Sequence, residues 1–229
     1  MKLYDFLLGF FIATLLISNI VTIKVFEVNF FGLNLVFDGG ALIFPFSYIF
    51  ADIFTEVYGY KKTRKIIWIG FIVLFIFNLL LYLTIILPPE DSWNYSIGQE
   101  NFEKILGISP RIALAGIIGY FWGEFTNSFV LAKMKIINRG NYLWFRIMLS
   151  TVFGQIVDTT LFCTIAFWGV IDSHAMINYI VTGYVYKVSV ELILSPITLV
   201  VIKKIKKIEN MDYYDHHTNF NPFLFRVGD

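Results

Sequence analysis

Six long apolar stretches constrain this chain more than any other feature of its sequence. They cover residues 3–25, 40–60, 65–87, 111–132, 147–170 and 176–202. About 20 mainly apolar residues are needed to cross the roughly 30 Å hydrocarbon layer of a bilayer. Charged residues make up only 15% of the chain and hydrophobic residues 57%, whereas soluble domains carry about 25% charged residues. We therefore expect an all-α integral membrane protein with six transmembrane helices.

The six stretches occupy well over half of the 229 residues. We therefore expect a single membrane domain over residues 1–208, followed by a polar tail over residues 209–229. The first stretch is too long, and too closely followed by the second, to resemble a cleaved secretory signal. We expect it to be a retained helix.

The basic residues of the connecting segments predict the orientation, because short cytoplasmic loops carry an excess of Lys and Arg. Those on one side are Lys2, Lys61, Lys62, Arg64, Lys65, Lys133, Lys135, Arg139, Lys203, Lys204, Lys206 and Lys207. The other side holds residues 26–38, the acidic loop 88–110 and the turn at 172–174. Both termini are therefore predicted to be cytoplasmic. The net charge of +1 provides no field that would attract nucleic acid.

Polar side chains inside the apolar stretches are the strongest indication of function. They are Asn19, Lys24, Asp52, Glu56, Glu124, Asn127, Gln155, Asp158, Lys187 and Glu191. A charge near the bilayer centre costs about 2.5–3.5 kcal/mol on insertion scales, so such residues usually face the bundle interior. Asp158 falls at the middle of its stretch, and several of the others lie within about 5 Å of that depth by the helical rise. This pattern predicts a polar pocket near the midplane, as in a transporter.

Some of these residues are open to a purely structural interpretation. Glu56 fits equally well an ion pair with a basic residue at 61–64. Lys187 and Glu191 are four residues apart and can neutralise each other on one helix face. Lys24 can extend to the outer surface.

Helix-breaking residues accompany the buried charges. Pro45 follows the start of the second stretch, and Pro196 interrupts the sixth. Glycines that allow close helix approach or local unwinding occur at positions 116, 119, 123 and 154. Residues 25–37 form two runs of high β propensity around Gly32, which predicts a short extracellular hairpin or re-entrant segment between the first two helices.

Motifs of soluble enzymes are absent from the sequence. It has no phosphate-binding loop, dinucleotide fingerprint, metal-ligand spacing or nucleophile elbow. The single Cys163 excludes an intrachain disulfide and a cysteine-based metal cluster. We therefore expect no enzymatic activity, no cofactor and no metal site.

The predicted topology is compatible with an inverted repeat of three plus three helices. Asp52 and Asp158 would then be counterparts in the two halves. The glycine-rich faces also permit a homodimer without requiring one.

One segment resembles the hallmark of a known family. It reads Asp38-Gly39-Gly40, then Phe44-Pro45-Phe46-Ser47-Tyr48, then Asp52-Ile53-Phe54-Thr55-Glu56-Val57-Tyr58-Gly59-Tyr60. The segment is similar to that of the queuosine precursor transporter family, also called the vitamin uptake transporter family. The resemblance extends from about residue 10 to residue 223 and includes Asn19, Lys24, Arg64, Trp68, Arg111, Glu124, Asn127, Lys133, Lys135, Trp144, Arg146, Thr151, Gln155, Asp158 and the tail at 218–223.

The resemblance implies uptake of 7-cyano-7-deazaguanine or 7-aminomethyl-7-deazaguanine across a bacterial inner membrane, for queuosine salvage in transfer RNA. A guanine-like base presents an N–H and an amine that one carboxylate can accept together. The candidate substrate-binding residues are Asn19, Lys24, Tyr48, Asp52, Glu56, Glu124, Asn127, Gln155, Asp158 and Lys187. In this interpretation the carboxylates accept from the base, the amides both donate and accept, the Tyr48 ring stacks, and the two lysines balance the acids.

The sequence is also compatible with two other functions. A substrate-binding subunit of an energy-coupling-factor vitamin transporter also has about six helices, but it commonly carries Ala-x-x-x-Ala in helix one, and here Ile17 stands four residues after Ala13. A structural membrane protein would pair its buried polar groups without a cavity. For a transporter, both proton coupling through a surplus carboxyl group and facilitated diffusion are compatible with the sequence.

Overall fold

The computed structural model describes residues 3–30, 33–107, 110–170 and 172–224, and these residues are mainly helical. The helices are α1 (Leu3–Val21), α2 (Gly40–Ile53), α3 (Tyr60–Ile85), α4 (Asp91–Ser96), α5 (Gln99–Leu106), α6 (Pro110–Ile137), α7 (Leu143–Phe167) and α8 (Ser173–Glu209). Five of them, α1, α3, α6, α7 and α8, are long and apolar enough to cross a membrane. The protein is thus an all-α membrane protein in its main architecture.

Two strands follow α1, namely β1 (Val25–Phe30) and β2 (Leu33–Asp38). They pair antiparallel, with Val25 opposite Asp38 and Phe30 opposite Leu33. Gly39 closes the connection to α2, since its N–H donates to the Lys24 carbonyl at 2.7 Å. We call the end of the bundle that carries these strands the hairpin end.

The second apolar stretch is not one regular helix. The α-helix α2 ends at Ile53, and a π-helical turn over Phe54–Tyr58 continues it. Gly59, with φ of 85°, then ends the helical segment, because this conformation favours glycine. Residues 51–60 are all buried, so the π turn lies in a tightly packed region.

Helix ends differ from the boundaries of the apolar stretches. α1 ends at Val21 rather than near residue 25, which leaves Lys24 exposed in the connection to β1. α8 runs from Ser173 to Glu209, beyond both ends of 176–202, and α3 begins at Tyr60 rather than 65. Lys, Arg and Glu favour helix, so a helix can continue where the apolar sequence stops.

Glycines bring α6 and α7 into close contact, which is one of the two roles that the sequence allowed for them. A Cβ atom added at Gly123 would lie 2.6 Å from the Cβ of Asp158. One added at Gly154 would lie 2.8 Å from the Cβ of Asn127. Backbones can approach this closely only where small residues face each other. The contact places Asp158 and Asn127 in the middle of the bundle.

The loop between α3 and α6 contains the two short helices α4 and α5. Glu90 caps α4 by accepting a hydrogen bond from the Trp93 N–H at 2.8 Å. Gln99 donates to the Ile85 carbonyl at 2.7 Å, which attaches α5 to the end of α3. Neither short helix has a buried residue, so the loop lies on the surface.

Residues 210–224, which we call the tail, fold back onto the bundle after α8. Asp215 accepts a hydrogen bond from the main-chain N–H of Tyr60 at 3.0 Å. Arg64 donates to two main-chain carbonyls of the tail, at 2.9 and 2.8 Å, and the indole of Trp68 donates to a third at 2.9 Å. The tail therefore covers the beginning of α3. We call this end of the bundle the basic end, because the lysine-rich connections lie here.

Two glycines make room for the tail. Gly59 and Gly140 have φ of 85° and 79°. A Cβ atom at Gly59 would clash with the ring of Tyr213, and one at Gly140 would clash with the hydroxyl of Tyr214. Consecutive tail tyrosines therefore occupy the space left by two missing side chains.

Candidate functional site

Seven polar side chains from four helices lie together inside the bundle, and we call them the central cluster. They are Tyr48 and Asp52 of α2, Glu124 and Asn127 of α6, Gln155 and Asp158 of α7, and Lys187 of α8. Within α2, α6 and α7 the two members are three or four residues apart, so they share one helix face. All seven were among the predicted site residues, and the structure brings them together.

An ion pair joins α7 to α8 at one side of the cluster. The Nζ atom of Lys187 lies 2.5 Å from Oδ2 of Asp158. The hydroxyl of Tyr48 lies 3.2 Å from Oε1 of Gln155 and 3.5 Å from the same Asp158 oxygen. Asp158 therefore has both a counter-charge and a nearby hydroxyl.

The remaining acids of the cluster lack such partners. Asn127 donates to Oδ1 of Asp52 at 3.1 Å. Within the described part of the chain, Oδ2 of Asp52, Oε2 of Glu124 and Oδ1 of Asn127 have no hydrogen-bond partner. All three residues are less than 5% exposed. Buried acceptors without a donor are costly, by about 1–3 kcal/mol each, so this arrangement favours a proton or a ligand with N–H groups.

Glu191 borders the cluster from α8. The sequence favoured, as one alternative, its pairing with Lys187 one turn away; the lysine instead contacts Asp158 closely. Glu191 is 4% exposed, and its Oε2 atom has no hydrogen-bond partner among the described residues. Its depth in the sixth apolar stretch was the signal for its importance.

Three predicted site residues lie outside the cluster. Asn19 donates to the Leu15 carbonyl of its own helix at 2.9 Å. Lys24 is exposed after the early end of α1. Glu56 lies at the basic end, because the chain carries it about one turn beyond Asp52.

Glu56 and four charged partners form a second group, which we call the basic-end cluster. The carboxylate of Glu56 accepts from Arg146 at 2.7 Å and from Lys206 at 2.6 Å, and Lys135 lies 3.5 Å away. Asp212 of the tail contacts Lys135 at 2.5 Å and Lys206 at 2.8 Å. A pairing of Glu56 with residues 61–64 is thus not what the structure shows, and Arg64 contacts the tail instead.

The charges around Asp212 change its titration. Partial burial raises the pKa of this carboxyl group, but hydrogen bonds from Lys135 and Lys206 outweigh that effect and place the pKa below its ordinary value. Asp212 is therefore ionised at neutral pH and holds both lysines.

Two members of the central cluster, on the side of the hairpin end, are partly exposed. Lys187 and Asp158 keep 21% and 13% of their side chains exposed, and along α8 and α7 both lie on the hairpin side of the cluster. Asp52 is fully buried, and the basic-end cluster and tail lie beyond it. A shallow cavity of about 380 Å³, lined by Asp172, His174, Asn178, Tyr179 and Thr182, lies at the start of α8, away from the cluster.

The matching family model and the similar proteins all indicate a transporter. Residues 38–201 match the family described as "Putative vitamin uptake transporter". The "Probable queuosine precursor transporter" of Bacillus subtilis is 27% identical over 180 residues, covering 78% of this chain and 76% of the relative. The "Queuosine precursor transporter" of Escherichia coli is 27% identical over 157 residues, covering 67% of each chain. No solved structure matches the chain.

The matched residues include most of the chain and all members of the central cluster. The resemblance drawn from the hallmark segment is thereby confirmed. This chain, a transporter and not an enzyme, belongs to the vitamin uptake transporter family.

Proposed function

We propose that this chain imports a queuosine precursor, 7-cyano-7-deazaguanine or 7-aminomethyl-7-deazaguanine, across the bacterial inner membrane for queuosine salvage in transfer RNA. The printed names of the relatives support the substrate class. The observation that carries the proposal is the set of buried acceptors without donors at Asp52, Glu124 and Asn127. A purine-like solute that is rich in N–H groups supplies what these atoms lack.

The chemistry of the substrate fits the central cluster. A 7-deazaguanine presents N1–H and an exocyclic amine on one edge, and a carboxylate accepts both. In our proposal Asp52 or Glu124 receives this edge. The amides of Asn127 and Gln155 can bond to the carbonyl and the pyrrole N–H, and the ring of Tyr48 can stack on the base.

Asp158 and Lys187 play a different part in the proposal. Because they neutralise each other, they can border the binding site without adding net charge to it. The uncharged 7-cyano-7-deazaguanine then approaches from the hairpin end, where this pair is partly exposed. Asn19, Lys24 and Glu56 lie outside the proposed binding site.

We further propose that the segment formed by α2 and the π turn is a sixth span. Residues 40–58 are helical and extend over roughly 27 Å at about 1.5 Å per residue, close to the hydrocarbon thickness. With six spans, the basic end faces the cytoplasm, as do both termini. Asp52 and Asp158 both reach the central cluster, which supports their being counterparts in an inverted repeat of one membrane domain over residues 1–208.

The decisive experiment measures queuosine in transfer RNA. The host cannot synthesise the precursors, lacks its own importer, expresses this chain and receives nanomolar 7-cyano-7-deazaguanine. We expect queuosine to be restored by the natural chain and lost with Asp52→Asn. Glu103→Gln, in the surface loop, is the matched control and should behave as the natural chain. An absence of queuosine despite confirmed membrane insertion would overturn the proposal.

A further inference from the structure

Glu191 is a buried acid to which the proposed substrate contacts assign no role. Its side chain projects from α8 toward the central cluster but lies one turn deeper than Lys187, on the side of the basic end. It is 4% exposed, and Oε2 has no hydrogen-bond partner within the described ranges. An ionised carboxylate in this position would be poorly stabilised, because charges near the bilayer centre are costly.

The groups around Glu191 offset that cost only in part. Asp52 of α2 and Glu124 of α6 face it with the same sign of charge. Tyr48 of α2 also faces it, and the hydroxyl of Thr151 on α7 is its neutral neighbour. On its own helix, Lys187 is the nearby cation, and Asp158 binds that cation at 2.5 Å. Four carboxyl groups therefore share one lysine.

The missing positive charge is better supplied by protons than by a metal ion. No group of three or more His, Cys, Asp and Glu residues in the described chain could hold a metal. In the absence of substrate, the amide oxygen of Asn127, which is buried beside Asp52, also lacks a donor among the described residues. A hydroxyl hydrogen on a neighbouring carboxyl group satisfies such an acceptor.

Pro196 interrupts the backbone hydrogen bonding of α8 close to Glu191. Pro196 has no N–H to donate to the carbonyl of Leu192, which instead accepts from the Ser195 hydroxyl at 2.8 Å. Helices bend at such positions. Beyond Pro196, the same helix carries Lys206 of the basic-end cluster. Glu191 thus lies between the central cluster and a position where the helix is weakened.

We propose that Glu191 binds the proton that crosses the membrane together with the substrate, so that the proton gradient drives import. A proton from the outer side joins a carboxylate oxygen of Glu191 as an O–H group, and it leaves to the cytoplasm after the substrate has been released. No other bond forms or breaks. The inference deepens the proposed import function and rests on it.

Transport by the purified full chain in liposomes separates the two proposals. Counterflow of labelled 7-cyano-7-deazaguanine against unlabelled compound, without a pH gradient, reports binding and passage. Accumulation with an alkaline interior reports coupling. With the membrane potential held at zero, one pH unit should give about tenfold accumulation if one proton moves with each uncharged substrate. Substrate addition should also acidify the lumen of liposomes that contain a trapped pH dye.

Glu191→Gln tests the residue itself. We expect counterflow within about threefold of the natural chain, and accumulation reduced from about tenfold to onefold. Glu191→Asp should retain accumulation because it keeps the carboxyl group. Glu209→Gln, at the end of the same helix, is the matched control and should behave as the natural chain in both assays.

The outcomes distinguish the two proposals. A natural chain without counterflow would contradict import itself. Counterflow without gradient-driven accumulation or lumen acidification would overturn proton coupling and leave import standing. Accumulation that persists in Glu191→Gln would exclude Glu191 as the proton-binding residue. If this variant does not fold, lumen acidification by the natural chain still decides whether protons are coupled. A Glu191→Asp variant whose accumulation has the same pH dependence as that of the natural chain would then exclude Glu191 as the proton-binding residue.

Discussion

At the scale of single residues, the ion-pair partner of Lys187 determines which acid of the central region is neutralised. It lies one helical turn from Glu191, yet its ammonium group lies 2.5 Å from Asp158 on α7. If Lys187 had paired with Glu191 on its own helix, this ion pair would not have joined α7 to α8. The interhelical pair instead links α7 to α8, so Glu191 shares its nearby cation, Lys187, with Asp158.

Among single side chains, Glu56 is the one whose replacement we expect to lower the stability of the protein most. Glu56→Gln leaves Arg146, Lys135 and Lys206 near each other without the buried carboxylate that all three contact. Removing one partner of a buried ion pair costs about 3–5 kcal/mol. We expect a clear fall in the melting temperature of the protein in detergent.

The matched control for Glu56 is an exposed ion pair. Lys104 and Glu100 lie 2.5 Å apart with 66% and 80% of their side chains exposed. Exposed pairs contribute little because water screens them. Glu100→Gln should leave the melting temperature unchanged, and an equal loss in both variants would contradict the special role of Glu56.

At the scale of elements, the contact between α6 and α7 depends on glycine. Gly123→Ala adds a methyl group 2.6 Å from the Cβ of Asp158, whereas an added Cβ at Gly116 meets nothing within 4 Å. We expect Gly123→Ala to destabilise the protein by about 1–3 kcal/mol, as overpacking does, and to displace Asp158 with a loss of uptake. Gly116→Ala should be neutral in thermal unfolding and uptake, and similar losses in both variants would refute the close contact.

The tail is the element whose attachment depends on pH. Because the folded state holds the pKa of Asp212 below its ordinary value of 3.8, the stabilisation by its ion pairs is present above about pH 4 and is lost as the pH falls through the lowered pKa. We expect residues 211–224 to exchange amide hydrogens faster at pH 3 than at pH 5, after correction for intrinsic rates. Asp212→Asn should give the fast rate already at pH 7; unchanged protection in that variant would argue against the ion pairs.

The sequence predicted the central parts of the helices better than their ends. Apolar runs mark the thickness of the membrane, so they located the middles of α3, α6, α7 and α8, but not the continuation of α8 to Glu209. The π turn at Phe54–Tyr58 left no pattern that could be detected. The docked tail was not predicted, because Arg64 and Trp68 bind its main-chain carbonyls, which every sequence provides.

Which candidate site residues could be found depends on the same distinction between local pattern and long-range contact. Charged residues at mid-depth are rare enough to be noticed, so Asp52, Asp158 and Lys187 became candidates from their position in the apolar stretches. Glu56 has the same appearance in the sequence, but its partners Arg146 and Lys206 lie 90 and 150 residues further along the chain. Contacts at that separation follow from helix packing and not from local pattern.

At the scale of the whole molecule, the two clusters make the two ends of the bundle different. The basic-end cluster and the tail close one end, while Asp158 and Lys187 remain partly exposed toward the other. Release of a substrate at the basic end would require the contacts of Glu56 to separate.

Labelling of single cysteines tests the orientation. Cys163 is the only cysteine in the chain and is 1% exposed, so Cys163→Ser provides a silent background. In intact cells, a membrane-impermeant maleimide should react with Tyr95→Cys, in the surface loop where Tyr95 is 96% exposed. It should react with Lys204→Cys, at the exposed end of α8, only after permeabilisation; the opposite pattern would contradict cytoplasmic termini.

The order of synthesis gives the tail a consequence for assembly. Asp212 and Tyr213 contact Lys135. Both residues leave the ribosome after all of the helices that the tail contacts. Until then Lys135 lacks two of the oxygen ligands that it has in the finished protein. A prematurely terminated chain would therefore insert its helices yet expose the beginning of α3 and a less satisfied lysine, features by which quality-control proteases could distinguish it from the complete product.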